Sequence, residues 1–214
     1  MKLSPRLSTI ADMITEDSKV IDIGCDHAYL DIFLTFNRHN VECTAIDINR
    51  QIFLKAKKNI EHFNMTEKIK LVQANGLEGI EVDPDSTIVL SGLGTATIIK
   101  ILKKDINKLS KTLIIQTNND VLSLRKNVVK LGYYIDYEKF IKDKEKDYVI
   151  IKFLKGKRKY KSIDYLLGPI LKNNQQYVQK NINRYNIIIA TLPTGCLFKQ
   201  IKLRYLVYKM KKRL

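Results

Sequence analysis

The chain has 214 residues, enough for one domain of ordinary size with an appendage, and its 45% hydrophobic content supports a sizeable core. The net charge of +16 is uneven: residues 1–154 hold 23 Lys and Arg against 21 acids, whereas residues 155–214 hold 15 against the single acid Asp164, an asymmetry that a general lysine bias does not explain. Cys25, Cys43 and Cys196 lack framework spacing, His27, His39 and His62 stand alone, and no run nears about 18 apolar residues, so a disulfide scaffold, a zinc site and a membrane span are all unexpected; the setting reads as cytoplasmic.

Leu3, Leu7, Ile10, Ala11 and Ile14 recur at helix spacing after a Ser4-Pro5 start. The next stretch, Lys19 to Asp31 (K-V-I-D-I-G-C-D-H-A-Y-L-D), organises the rest. Val20, Ile21 and Ile23 suit a strand buried on both faces, Gly24 turns the chain, Asp26 stands where a helix cap would stand, and Tyr29, Leu30, Phe33, Leu34 and Phe36 mark a helix. A strand, a tight turn and a helix aim backbone N–H groups into the crevice where open α/β sheets bind ligands. A pyrophosphate cradle wants further glycines, whereas this loop carries Asp22, Asp26 and Asp31. Carboxylates favour a cationic ligand, and S-adenosylmethionine (SAM) offers an ammonium, a sulfonium and ribose hydroxyls without phosphate. An ordinary core strand and turn would look the same over this stretch alone.

Val41 to Ile48 reads as a second strand ending in Asp47, and an acid there, some 20 residues after the glycine turn, suits the ribose hydroxyls of a bound nucleoside. Gln51 to Phe63 is expected as a helix and Ile69 to Gln73 as the third strand, after which Asn75 is placed to read an adenine edge. Ser86 to Leu90 is the fourth strand; Ser91-Gly92-Leu93-Gly94 beyond it suggests close approach by a second ligand or a plain turn. A helix at Ile98–Leu102, a fifth strand at Thr112–Gln116 and a helix at Val121–Leu131 follow, and Tyr133–Ile141 and Tyr148–Leu154 close with an antiparallel pair. Seven strands in this order match the doubly wound α/β architecture of SAM-dependent methyltransferases.

Residues 156–161 form a basic linker, which places a boundary at 155/156. Leu171, Val178, Ile182, Tyr185, Ile189 and Leu192 make a heptad stripe, Pro193-Thr194-Gly195 reverses the chain, and Leu197, Ile201, Leu203, Leu206, Met210 and Leu214 mark a second helix. The expected product is a basic helical hairpin, suited to a polyanion. Tyr177, Tyr185, Tyr205 and Tyr208 lie among its cations, where packing is a more ordinary role than stacking on bases.

Several motifs together, L-S-x-R-L at Leu3–Leu7, D-I-G-x-D-H-A-Y-L at Asp22–Leu30, N-G-L-E at Asn75–Glu78, S-G-L-G at Ser91–Gly94 and Q-T-N at Gln116–Asn118, resemble the bacterial TrmK family over nearly the whole chain. That family consists of tRNA (adenine-22-N1)-methyltransferases with a class I methyltransferase domain and a C-terminal helical coiled coil. The chain departs from it with S-G-L-G-T for A-G-M-G-G, Q-T-N for Q-P-N, A-N-G-L for G-D-G-L, and Tyr148-Val149 for Y-E. The resemblance implies a cofactor site of Asp22, Gly24, Asp26, His27, Asp47, Ile48, Asn75, Gly76 and Ser91, with Asp26, Gly92, Leu93, Gly94 and Asn118 at the acceptor base. tRNA contacts are expected from Arg6, Lys157, Arg158, Lys159, Arg184, Lys199, Lys202, Arg204 and Lys209. No metal is implied, a monomer is expected, and adenine N1, unprotonated at neutral pH, needs no general base. The competing readings are methylation of another RNA site, a non-catalytic RNA-binding protein and a nucleotide-dependent oxidoreductase; the missing glycines speak against the last.

Overall fold

The protein, here a computed structural model that describes every residue except Asp17, His39 and Thr194, divides into two compact units, Met1–Lys157 and Arg158–Leu214. The first unit opens with α1 (Pro5–Met13), whose start is fixed as its sequence suggests: the Ser4 hydroxyl accepts the Leu7 N–H and Pro5 occupies the first turn. There follow β1 (Lys19–Ile23), α2 (Tyr29–Asn37), β2 (Glu42–Asp47), α3 (Arg50–His62), β3 (Ile69–Gln73), β4 (Thr87–Leu93), α4 (Thr95–Lys104), β5 (Thr112–Thr117), α5 (Val121–Lys130), β6 (Tyr133–Asp143) and β7 (Lys146–Lys155). The seven strands form one sheet in the order β3-β2-β1-β4-β5-β7-β6, with β1 to β5 parallel and β7 antiparallel to both its neighbours. The winding reverses between β1 and β4, and the crevice beyond the carboxyl ends of those two strands is where such a sheet receives its ligand.

The central strands are apolar along their length because both sheet faces are covered: Val20, Ile21, Ile23, Ile88, Val89, Leu90, Leu113, Ile114 and Ile115 are all buried. Between α5 and β6 the guanidinium of Arg125 donates to Glu138 at 2.7 Å, with both side chains fully enclosed. Two boundaries differ from expectation. β4 does not stop at Leu90 but continues through Ser91–Leu93, and its register against β5 shifts between Ser91 and Leu93. This bulge turns Gly92, at φ +78°, toward the crevice. Asp26 is not the cap of α2: that position is Ala28, and both residues adopt left-handed backbone, at φ +52° and +57°. Among the described residues of both units, no helix is long and apolar enough to cross a membrane.

The second unit contains α6 (Ser162–Leu167), a 3-10 turn at Leu171–Asn173, α7 (Gln175–Thr191) and α8 (Leu197–Lys211). The α7–α8 pair is the expected helical hairpin, although Thr194 of its reversal lies outside the described residues, as does His39 among the isolated histidines. Helix α6 was not expected, and Leu171 belongs to the 3-10 turn rather than to the stripe of α7. Ile163, Leu166, Leu167, Leu171, Tyr177, Val178, Ile182, Val207 and Met210 form the unit's buried side. Along α8 the residues expected to mark the helix do not all pack: Met210 is buried, Leu197, Ile201 and Leu214 are exposed, and Val207, not among them, faces inward. Tyr177 is packing, whereas Tyr205 and Tyr208 are exposed and lie under Lys209 and Lys212, each ammonium 4.6 Å from a ring centre.

Candidate functional site

A cavity of about 650 Å³ opens at the carboxyl ends of β1, β2 and β4. Its floor is the loop after β1. Gly24, at φ +80°, faces the Leu93 side chain, whose methyls would lie 3.4 and 3.5 Å from an added Cβ. The N–H groups of Gly24 and Cys25 both donate to the Ile46 carbonyl, at 2.8 and 3.0 Å, and that of Ala28 donates to Cys25. The expectation that this loop offers its backbone donors to a ligand therefore does not hold at those three positions. The loop's contribution is carboxylates: Asp22, Asp26 and Asp47 all line the cavity, in keeping with a cationic rather than a phosphorylated occupant.

Each acid sits differently. Asp22, on β1, is buried, and its Oδ1 meets no donor among the described residues. Burial drives its carboxyl up to about 7; a hydrogen bond with Asp31 and the charge of Arg6 act against that rise, while Asp47 and Asp26 add to it. Asp26 is exposed, with Oδ1 3.7 Å from Nε2 of His27, and the His27 ring stacks on Tyr29 at 5.4 Å. Asp47 is half-buried at the end of β2, and its Oδ1 accepts the Asn49 N–H at 2.8 Å, which fixes the carboxylate's orientation.

The opposite wall is built on Gln116 of β5, which is fully buried. Its Oε1 accepts from Arg6 Nη1 at 2.9 Å, from the Gly92 N–H at 2.9 Å and from the Ser91 hydroxyl at 3.1 Å. Its Nε2 donates to Asn118 Oδ1 at 3.2 Å, and Asn118 Nδ2 donates to the Gly92 carbonyl at 2.6 Å. Both amide orientations are forced, because the Gly92 N–H and the Arg6 guanidinium only donate and the Gly92 carbonyl only accepts. The bulge in β4, the start of α1 and the end of β5 are thereby tied into one polar edge beside the acidic floor.

Of the residues expected here, Asp22, Gly24, Asp26, His27, Asp47, Ser91, Gly92, Leu93 and Asn118 line this cavity together. Ile48, Asn75, Gly76 and Gly94 do not. Ile48 is exposed, the Asn75 carbonyl is engaged by Lys104, Gly76 abuts Asp105, and Gly94 caps α4. Arg6, expected among the RNA contacts, lines the cavity, with its guanidinium 5.6 Å over the Tyr148 ring. Lys146, Asp147 and Tyr148 at the start of β7 also reach the cavity, which only the folded hairpin makes visible.

A family model described as a methyltransferase domain matches residues 3–151. The chain is 31% identical over 186 residues to the tRNA (adenine(22)-N(1))-methyltransferase of Bacillus subtilis, spanning 83% of this chain and 78% of that one. It belongs to the tRNA (adenine(22)-N(1))-methyltransferase family. Among solved members of this family, Mycoplasma capricolum TrmK in complex with the cofactor product S-adenosyl-homocysteine superposes with a TM-score of 0.86 at 31% identity, covering 99% of this chain and 97% of that one. A Streptococcus pneumoniae protein in complex with S-adenosyl-L-methionine superposes with a TM-score of 0.90 at 28% identity over the whole of both chains. The seven-stranded sheet and the C-terminal helical pair are thus common family architecture.

Proposed function

We propose that this protein is a SAM-dependent tRNA methyltransferase that modifies N1 of adenine 22, and that the cavity between the acidic loop and the Gln116-centred edge is where transfer occurs. The reading is carried by family membership joined to one feature of the cavity, a floor of three carboxylates at Asp22, Asp26 and Asp47. That donor set fits SAM, which bears an ammonium, a sulfonium and ribose hydroxyls, and it would repel a pyrophosphate. Asp47, held by the Asn49 N–H, accepts the ribose hydroxyls. Asp22 and Asp26 compensate the positive charge, and His27, stacked on Tyr29, positions rather than shuttles protons.

When bound, SAM supplies an electrophilic methyl group, and the lone pair of adenine N1 needs no prior deprotonation to take it. The protein's task is therefore alignment and exclusion of water. N1 lies on the pairing edge, so the base must leave its stack to enter. Asn118, its amide pinned between Gln116 and the Gly92 carbonyl, keeps acceptor capacity on Oδ1 for an exocyclic amine. Leu93, packed over Gly24, walls the adjoining side.

The second unit supplies the grip on folded tRNA. Its only acid, Asp164, is used internally: it accepts from the Lys161 N–H at 2.8 Å and from Lys172 Nζ at 2.7 Å. Burial alone would raise this carboxyl, but those two contacts hold it below the usual range. Arg184, Lys199, Lys202 and Arg204 are exposed and Lys209 partly so, as a phosphate-binding surface requires. Lys157, Arg158 and Lys159 carry the same charge between residues 156 and 161, and a cytoplasmic monomer suits the substrate.

The deciding experiment compares an intact tRNA carrying adenine 22 with the same tRNA carrying guanine there, locating 1-methyladenosine by primer extension. Methylation confined to the first is expected; equal methylation at another nucleoside, or in unstructured RNA, would refute the site assignment. A protein ending at Lys157 is expected to bind SAM normally but to bind tRNA at least about tenfold more weakly, with a flatter dependence on salt. Undiminished tRNA binding by the shortened protein would remove the hairpin from recognition.

A further inference from the structure

Behind the cavity floor lies a second carboxyl that the methyl transfer does not use. Asp31, in the first turn of α2, is fully buried, and neither of its carboxylate oxygens makes a well-formed hydrogen bond among the described residues, its own backbone N–H and the weak Cys43 thiol donor lowering the carboxyl less than burial raises it. Together with Asp22 Oδ1, this makes three buried carboxylate oxygens without a well-formed hydrogen bond, on two side chains close enough to hydrogen-bond one another once one carries a proton. Two ionised carboxylates in such a place would repel each other inside a medium that screens poorly, so one proton shared between them is the favourable state.

The surroundings reinforce this. From α1, Arg6 is the one cation acting on Asp22; from β2 and the loop, Asp47 and Asp26 add negative charge; the Cys25 and Cys43 thiols beside the pair are themselves pushed up, first by burial and then by these carboxylates. Burial, followed by the charge of Asp22, holds Asp31 well above the ordinary carboxylate range. Only Asp22 of the pair reaches the cavity, so whatever cation arrives acts on Asp22 directly and on Asp31 through it.

We propose that Asp22 and Asp31 hold a single proton between them and that a cation docking at Asp22 expels it to solvent, so that cofactor binding releases a proton. Charge is conserved at the site: the pair goes from one negative charge to two as the ligand's positive charge replaces the proton. Asp31 is on this view a positioning residue that sets the charge of Asp22 without touching the ligand. The same pair gives the ligand-free protein a pH signature. Below about 7 Asp22 takes up a second proton of the pair, which the unfolded chain loses at 3.8, so stability falls as pH rises between those values.

The inference rests on the SAM reading above, and calorimetry separates the two. SAM is titrated into the full chain at about pH 7.5, above the Asp22 value and where the pair holds one proton, in buffers of differing ionisation enthalpy, whose slope against observed heat counts the protons exchanged. The wild-type protein should release up to about one proton, and Asp31→Asn, with Asp22 and His27 intact, should release correspondingly fewer. Subtracting the two slopes also cancels any proton that the ligand contributes. Where Asp31→Asn does not fold, the melting temperature of the ligand-free wild type, which should fall as pH rises from about 5 to about 7, tests the protonated pair instead. Binding without proton release in the wild type, equal release from Asp31→Asn, or a melting temperature that does not fall over that range would each overturn the proposal while leaving the methyltransferase reading in place. Failure to bind SAM at all would overturn both.

Discussion

Replacing Gln116 by leucine is expected to lower the rate of methyl transfer about a hundredfold while changing SAM affinity little, because the lost contacts lie on the acceptor side. The carbonyl of Gln116 serves the Arg6 guanidinium, the Gly92 N–H and the Ser91 hydroxyl at once, and its amide nitrogen orients Asn118. An apolar side chain of similar size leaves those donors facing a non-acceptor in a buried setting, at about 1–3 kcal/mol each, and frees Asn118 to turn. Misalignment worth about 2.7 kcal/mol is a factor of about 100 in rate. Gln116→Glu should be milder in one respect and informative in another: it keeps the acceptor for Arg6 and Gly92 but sets an oxygen against Asn118 Oδ1. Single-turnover rates at saturating SAM decide the matter. Wild-type turnover in Gln116→Leu would mean that the edge does not place the base.

The largest loss of stability is expected at Arg125. Its Nε donates to Glu138 Oε1 at 2.7 Å with both side chains fully enclosed between α5 and β6. Arg125→Met removes the charge partner of a buried carboxylate and should cost about 3–5 kcal/mol, which in a chain of this size lowers the melting temperature by roughly 10 °C. Replacing both partners, Arg125→Met with Glu138→Leu, removes the carboxylate too and should recover most of that loss. A single variant that melts within a degree or two of the wild type would show that the pair contributes nothing.

What could be read from the sequence follows from how local each signal is. The strand, glycine turn and helix around Gly24, the acid closing β2 at Asp47 and the seven-strand order each depend on neighbours in the chain, and all are present in the structure. The Gln116 hub was not legible, because it needs the bulge at Ser91–Leu93 to turn an amide toward β5 and needs Arg6 to arrive from α1. Asp31 looked like one more acid near the loop; only the folded structure shows that it is fully buried and acts on Asp22. Helix α6, at six residues, is too short to express a period. On α8, apolar side chains at Leu197, Phe198, Ile201, Leu203, Leu206, Val207 and Met210 spread around the helix, so spacing alone marked Leu197 and Ile201 where burial selects Val207.

The strand order also constrains how the chain is assembled during synthesis. Until β7 has left the ribosome, the hydrophobic strand β5 is the open border of a five-stranded parallel sheet, with Leu113, Ile114 and Ile115 lacking the cover that Phe153 and Ile151 later give. An uncapped border of that kind is a template for pairing with another nascent chain. The strand that closes it is the last to appear, and it arrives joined to β6 through a tight reversal at Asp143–Lys146. Zipping that hairpin first, from contacts close in sequence, would deliver both strands in one docking event. The border that finally faces water is then β6, whose register break at Ile135–Tyr137 and whose lysines at Lys139 and Lys142 make it a poor partner for further strands. Slowing the hairpin, for instance by a proline in its reversal, should therefore show itself as aggregation during expression before it shows as any fault in the mature enzyme.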